Sequence, residues 1–328
     1  LYEDVMWIMY DLVSLGEMLI DFTPAGISEN GNPLFECNPG GAPANVAVAL
    51  AKMGKKAAFI GKVGNDQFGL FLKETLMRLN VDTGGLIFSR DVNTTLAFVH
   101  LDERGDRSFS FYRKPGADIM LEEKEVNYDI IRNSRIFHFG SVSMTNQPSR
   151  DATIKSAEYA RNNGLIVSFD PNLRPALWTD LNEAKEMIRL GIGFADVLKI
   201  SEEELFFLTD ARDIEEGSKM LYKEHGMKLI FVTLGPKGCF YMFGDHTGYL
   251  PAYDVNTVDT TGAGDAFMGG ILYQVLEKRK SYDEYTVDDM EEMVNFANAA
   301  GSLATTKRGA IPALPSLDDV VKLMGAKN

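Results

Sequence analysis

Short apolar runs recur along the chain, and the spacing between them changes partway. Early on, residues 12–22, 57–63, 95–101 and 107–112 read as strands, and the last alternates Ser108, Phe109, Ser110, Phe111 so that one face is apolar. Further along, apolar runs at 136–139, 165–169, 197–200 and 229–233 are separated by segments of helical period such as 151–162 and 214–225. Strands alternating with helices predict an α/β fold with a mostly parallel sheet and helices on both faces. Two hairpin-like stretches interrupt the scheme, around 30–37 and around 102–106, the second built on an Asp-Glu-Arg-Gly-Asp turn. They predict a small sheet projecting from the main body, with lid strands inserted from about 12–39 and 92–115. No internal repeat, low-complexity tract or long Pro/Ser linker appears, so residues 1–328 read as one large domain carrying an inserted lid.

Composition narrows the partners. A chain of 328 residues, 45% of them hydrophobic, can bury a large core. Lys and Arg number 33 against 47 Asp and Glu, and a formal charge of −14 opposes attraction to nucleic acid or to an anionic membrane. The two cysteines, Cys37 and Cys239, show no CxxC or Cys/His spacing, and the four histidines form no cluster with Cys or carboxylates. Neither a disulfide framework nor a zinc site is expected. No apolar run reaches the roughly 18 residues of a membrane span. Residues 1–13 are broken by Glu3, Asp4 and Asp11, unlike a signal peptide, so a reducing, cytoplasmic location is expected.

The most informative stretch is Asp259-Thr-Thr-Gly-Ala-Gly-Asp-Ala-Phe-Met-Gly-Gly270, a Gly-rich turn leading into an apolar helix. Such a turn aims backbone N–H groups at one spot, and the helix N-terminus adds partial positive charge there, so Gly262, Ala263 and Gly264 outline an anion hole. Gly262 and Gly264 allow an approach that a Cβ would forbid. Asp265, in the first helical turn, is placed to accept the proton of an attacking hydroxyl. The alternative is that Asp265 merely caps the helix. No GxxxxGK[ST] occurs, which excludes a P-loop. Gly262-Ala-Gly264 begins like GxGxxG, but Phe267 replaces the third glycine. A second element, Asn38-Pro-Gly-Gly-Ala-Pro-Ala-Asn45, precedes an alanine-rich helix. Its glycines leave room for a ligand, and Asn45 offers donor and acceptors suited to a polyol, or the element is simply a Pro-initiated helix.

Both elements resemble the signatures of the ribokinase-like, PfkB-type carbohydrate kinases, and within them the bacterial and plant fructokinases. The resemblance rests on Gly40-Gly-Ala-Pro-Ala-Asn45 and Asp259-Thr-Thr-Gly-Ala-Gly-Asp265. Phe59-Ile-Gly-Lys-Val-Gly64, Phe111-Tyr-Arg-Lys-Pro-Gly-Ala-Asp118, Phe137-His-Phe-Gly-Ser141 and Asp170-Pro-Asn-Leu-Arg-Pro175 extend it over nearly the whole chain. It implies a three-layer ribokinase-like sandwich with a β-lid that phosphorylates a sugar with ATP and Mg²⁺. It further implies that Asp21, Gly40, Gly41 and Asn45 grip the sugar, that lid residues Phe98 and 109–113 close over it, and that Arg113 and Arg174 contact substrate or phosphate. For the nucleotide half it implies Lys199, Thr233, Gly235, Gly238 and Asn298, with Glu204 of Ser201-Glu-Glu-Glu204 ordering Mg²⁺ through water, although Ser201 stands where Asn is usual and also reads as a helix cap. Asp259, Thr261, Ala304 and Gly309 outline a potassium site, with Ala313 where ribokinases have a Ser ligand. A homodimer through the lids is a further implication.

The expected activity is transfer of the ATP γ-phosphoryl group to O6 of D-fructose, with Asp265 as base. The rival within the class is 2-keto-3-deoxygluconate kinase or another sugar kinase of the family. From other classes, a sugar-binding regulator without turnover and a dinucleotide oxidoreductase remain alternatives.

Overall fold

The computed structural model describes residues 9–101 and 107–326. The expected turn at 102–106 and the acidic residues Glu3 and Asp4 lie outside the described residues.

In chain order the strands are β1 (Tyr10–Leu15), β2 (Leu19–Ile27), β3 (Pro33–Gly40), β4 (Ala57–Gly64), β5 (Val81–Ser89), β6 (Leu96–Leu101), β7 (Arg107–Tyr112), β8 (Ser134–Gly140), β9 (Ile166–Asp170), β10 (Val197–Ser201), β11 (Leu229–Thr233), β12 (Cys239–Phe243) and β13 (His246–Leu250). The helices are α1 (Ala42–Lys52), α2 (Gln67–Arg78), α3 (Tyr128–Arg132), α4 (Ser149–Asn162), α5 (Leu181–Ile192), α6 (Glu202–Thr209), α7 (Ile214–His225), α8 (Ala263–Lys278), α9 (Val287–Ala304) and α10 (Leu317–Gly325).

The larger sheet runs β13-β12-β11-β10-β9-β8-β1-β4-β5. It is parallel from β11 across to β5, with β12 and β13 added antiparallel at one edge. Its strands are apolar on both faces because both are covered. Leu12, Phe59, Ile136 and Phe231 pack toward α1, α8 and α9, whereas their neighbours Val13, Ala58, Phe137 and Ile230 pack toward α4, α5 and α7. Two-sided burial explains why these strands appear in the sequence as unbroken apolar runs.

The expected strand over 12–22 is two strands in two sheets. β1 ends at Leu15 in the larger sheet, and β2 starts at Leu19 in a smaller one ordered β3-β2-β6-β7. Between them, residues 16–18 pass under the start of α1. Gly41 there has φ 121°, and a Cβ on it would lie 2.3 Å from the Glu17 carbonyl oxygen. Apolar residues on both sides of the break concealed it. The hairpin expected near 30–37 is β2–β3, its turn closed by Ser28 N–H donating to Asn32 O.

Helix α8 is wedged between α1 and α9 by small residues. A Cβ on Gly269 would come within 2.6 Å of Ala49 Cβ, and one on Gly270 within 2.8 Å of Ala297 Cα. This packing sets the start of α8 beside the carboxyl ends of the parallel strands, where ligands bind in open α/β sheets.

Candidate active site

Gly262 opens α8 in the left-handed region (φ 78°), and no side chain caps the helix. A Cβ there would press on Ala310 at 3.0 Å. Asp265 therefore does not serve as the helix cap. Its Oδ2 instead accepts from Asn45 Nδ2 at 2.7 Å, across to α1. Asp265 and Asn45 are 8% and 3% exposed. Burial pushes the Asp265 carboxyl above the usual range, against the opposing pull of the Asn45 bond, Lys199 and Arg174. A proton acceptor of raised basicity thus stands beside the N–H groups of a helix start.

Two cavities meet at this helix start. The smaller, about 440 Å³, is lined by Asp21, Gly41, Asn45, Arg174, Gly262 and Asp265 among others. The larger, about 670 Å³, is lined by Thr233, Gly235, Gly238, Ala263, Asn298 and the 252–255 segment. Thr260 and Gly264 belong to both linings and form the wall between them. In the smaller cavity, Asp21 is pushed up to about 7 by lost solvation, with Arg174 pulling the other way and Asp265 and Asp259 adding to the rise. Gly40 makes room for it, since a Cβ on that residue would lie 2.3 Å from Asp21 Oδ2.

Lys199, at the end of β10, borders the smaller cavity and an adjoining one of about 460 Å³. Its Nζ donates to Asp170 Oδ2 at 2.9 Å in a pair 7% and 2% exposed. Burial pulls the Lys199 pKa down, but the carboxylates of Asp170 and Glu204 outweigh it and hold it above its ordinary value. Glu204 uses both oxygens on backbone. Oε2 accepts from Ser201 N at 2.8 Å, completing the cap of α6, and Oε1 accepts from Leu173 N at 2.6 Å. The second bond ties down the loop after β9, where Asn172 holds φ 46°, and so places Arg174 over the smaller cavity.

Around the larger cavity, Gly238 has φ 114°, and a Cβ on it would lie 2.1 Å from Leu250 O. Asn298 Nδ2 donates to Leu250 O and Pro251 O, both at 3.1 Å, which fixes the segment walling the cavity. Asp259 Oδ1 accepts from Thr261 N and Oγ1 at 2.8 and 2.7 Å, and Oδ2 accepts from Gly309 N at 3.0 Å. The turn before α8 is thereby bound to the loop that follows Ala304 at the end of α9.

Two expected contacts are not brought into the cavity. Phe98 pairs with Ser110 across β6–β7 and shares its face with Tyr112, stacking on Phe22 at 4.7 Å. Strand alternation puts Ala97, Phe111 and Asp21 on the opposite face, and Phe111 and Asp21 line the cavity. Arg113 is buried, with Nε donating to Asp118 Oδ2 at 2.7 Å and the other nitrogens to Thr145 Oγ1 and Val142 O. Its fork is occupied in fastening β7 to the 142–145 turn. Sequence reasoning passed over Glu17, a buried acid in the smaller cavity's lining. Its signal was an acid between β1 and β2, hidden by treating residues 12–22 as one strand.

A parallel sheet flanked by helices, with a carboxylate at a Gly-rich helix start between two cavities, defines a phosphotransferase acting on a hydroxyl. The chain belongs to the pfkB family of carbohydrate kinases, matched over residues 9–317. It is 46% identical over 315 residues to fructokinase-1 of Oryza sativa subsp. japonica, covering 95% of this chain and 97% of the relative. Among solved structures, Xylella fastidiosa fructokinase with bound ATP superposes with TM-score 0.90 at 33% identity, covering 97% and 99% of the two chains. A double mutant of Vibrio cholerae O395 fructokinase, bound to fructose, ADP and a potassium ion, gives 0.86 at 37% identity, covering 96% and 98%.

Proposed function

We propose that the chain is an ATP-dependent fructokinase producing fructose 6-phosphate. The observation that carries the reading is the shared wall: Gly264 and Thr260 separate a polar cavity holding Asp21, Asn45 and Asp265 from a larger one suited to a nucleotide. Asp265 takes the proton of the sugar's primary hydroxyl, and the amides at the start of α8 stabilise charge on the transferring group. Lys199, kept charged by Asp170, adds positive charge beside Gly264, where its Nζ lies 2.9 Å from the position a Cβ would take. Phe111 shields the sugar from water.

No group of three or more His, Cys, Asp or Glu side chains forms a metal cage among the described residues. Mg²⁺ is commonly held by one or two carboxylates together with substrate phosphates and waters, and Glu204, which lines the cavity of about 460 Å³ beside Lys199, is the residue we assign to hold it through water. Bound there, Mg²⁺ would neutralise phosphate charge. Asp259, Thr261 and the backbone at Ala304 and Gly309 are the residues we assign to potassium. The exposed apolar side chains of Ile27, Leu34, Phe35 and Tyr112 on the small sheet support its role as a lid that pairs with a second copy. No helix among the described residues is long and apolar enough to cross a membrane. A cytoplasmic setting agrees with the two free cysteines.

Arg113 is unavailable to the carboxylate of a keto-acid substrate, because its charge is already matched by Asp118 inside the protein. ADP release should be measured with fructose, ribose and 2-keto-3-deoxygluconate in parallel. Fructose is expected to give the highest kcat/KM. Preference for the keto acid would overturn the substrate, and sugar binding without ADP would overturn the kinase.

A further inference from the structure

Asp265 and Glu17 both line the smaller cavity, but different charges act on each. Asp265 is faced by Lys199 and Arg174, at the wall shared with the nucleotide-sized cavity. Glu17 is faced by Asp118 and Arg113, the pair that fastens the lid strand β7. Glu17 is 3% exposed yet lines the cavity. Its Oε1 accepts from Ala42 N at 3.0 Å, at the first residue of α1. Its Oε2 is shut off from solvent and has no hydrogen-bond partner. A buried carboxyl oxygen without a partner is costly, so a ligand that supplies the missing bond gains selectively over one that does not.

We infer that Glu17 is a specificity-determining residue, whose Oε2 takes a hydroxyl at the end of the sugar remote from the one phosphorylated. This rests on the fructokinase reading, in which the reacting hydroxyl is O6 and the remote end carries the C1 hydroxyl. Gly41 belongs to the same device, because its lack of a Cβ lets the Glu17 backbone pass beneath α1, where Glu17 joins the cavity's lining. Asp21 and Asn45 recognise hydroxyls from β2 and α1, and Glu17 adds a contact from the link between the two sheets. A sugar lacking that remote hydroxyl would leave the buried oxygen unmatched. Burial also raises the Glu17 carboxyl to about 7, against the pull of its own and the Ala42 backbone N–H, which suits a group able to accept from or donate to a hydroxyl.

Glu17→Gln keeps the oxygen that caps α1 and replaces the free one by NH₂. Steady-state kinetics of wild type and this variant with fructose and 1-deoxyfructose, at saturating ATP, test the assignment, with a thermal melt to confirm folding. Expected are a rise of about tenfold or more in KM for fructose, kcat within about threefold, unchanged KM for ATP, and a smaller penalty for 1-deoxyfructose in the variant than in wild type. KM for fructose unchanged, the same penalty in both proteins, or a joint loss of kcat and both KM values would each overturn it. Should Glu17→Gln fail to fold, Glu17→Asp is measured with the same two sugars and judged by the same criteria. Wild-type turnover on fructose, recorded in the same assay, separately tests the fructokinase reading.

Discussion

Asp265→Asn separates a catalytic from a structural role with almost no change of shape. The Asn oxygen can still accept from Asn45, which lies 2.7 Å from Asp265 Oδ2, and Gly262 rather than residue 265 caps α8. Local packing should therefore survive. Loss of a general base typically lowers turnover by about 10² to 10⁴-fold, and the helix-start amides remain to support residual activity. Stability should move the other way. Burial holds the Asp265 carboxyl above its unfolded pKa, and Asn45, Lys199 and Arg174 do not fully offset it. A carboxyl with a raised folded pKa contributes stability below its unfolded pKa and loses it as pH rises through the folded value. Above the unfolded pKa the raised carboxyl therefore weighs against folding, and a neutral amide removes that burden. Urea unfolding of the ligand-free proteins should give the variant a midpoint equal to or above wild type, while calorimetry shows fructose still binding. Turnover within tenfold of wild type would remove Asp265 as the base. A drop in stability alongside lost activity would show that its charge holds the fold together.

Asp170→Asn should destabilise by about 3 kcal/mol in urea unfolding, because it strands Lys199, only 7% exposed, without its 2.9 Å partner. Asp170→Leu combined with Lys199→Met should recover most of that stability but not turnover. Gly238→Ala should raise KM for ATP more than KM for fructose and lower the melting temperature, since its φ of 114° and a Cβ 2.1 Å from Leu250 O displace the wall of the larger cavity. Asp21, raised to about 7 by burial, contributes stability that fades as pH rises from the ordinary carboxylate range through 7. Denaturant titrations at pH 5 and pH 8 should show a smaller difference for Asp21→Asn than for wild type, and an equal difference would place that carboxyl in a solvated position.

The parallel core was legible because two-sided burial turns each strand into a short apolar run, as at β8 to β11, and helical periods stood between them. The Gly-rich turn was legible because anion binding at a helix start demands residues without Cβ, and Gly262 and Gly264 stood together before an acid. What stayed hidden depended on direction across the chain rather than along it. Alternation sets neighbouring residues of β6 and of β7 on opposite faces, but only the β6–β7 register, which pairs Ala97 with Phe111 and Phe98 with Ser110, places Phe98 and Phe111 on opposite faces of the small sheet. Arg113 looks identical in sequence whether its fork meets a ligand or Asp118 five residues later, and that choice is made by the turn at Gly116, where a Cβ would lie 1.8 Å from Thr95 Oγ1.

The break at residues 16–18 links these failures to the site itself. A strand continuing from β1 through residue 22 would keep Glu17 and Asp21 in one sheet, with the nucleotide half and the sugar contacts on one rigid surface. Division into β1 and β2 places Asp21 on the small sheet while Asp265 and Lys199 stay with the larger one, so the sugar cavity is formed between the two. Glu17 lies in the link, bonded to the first residue of α1, and Arg113 fastens the other strand that rises into the small sheet. On the proposed fructokinase reading, contacts carried by a sheet attached through two buried polar anchors would close over a sugar without disturbing the parallel core beneath. In that reading, the residues that anchor the small sheet, and not only those that touch phosphate, govern which sugar is held long enough to react.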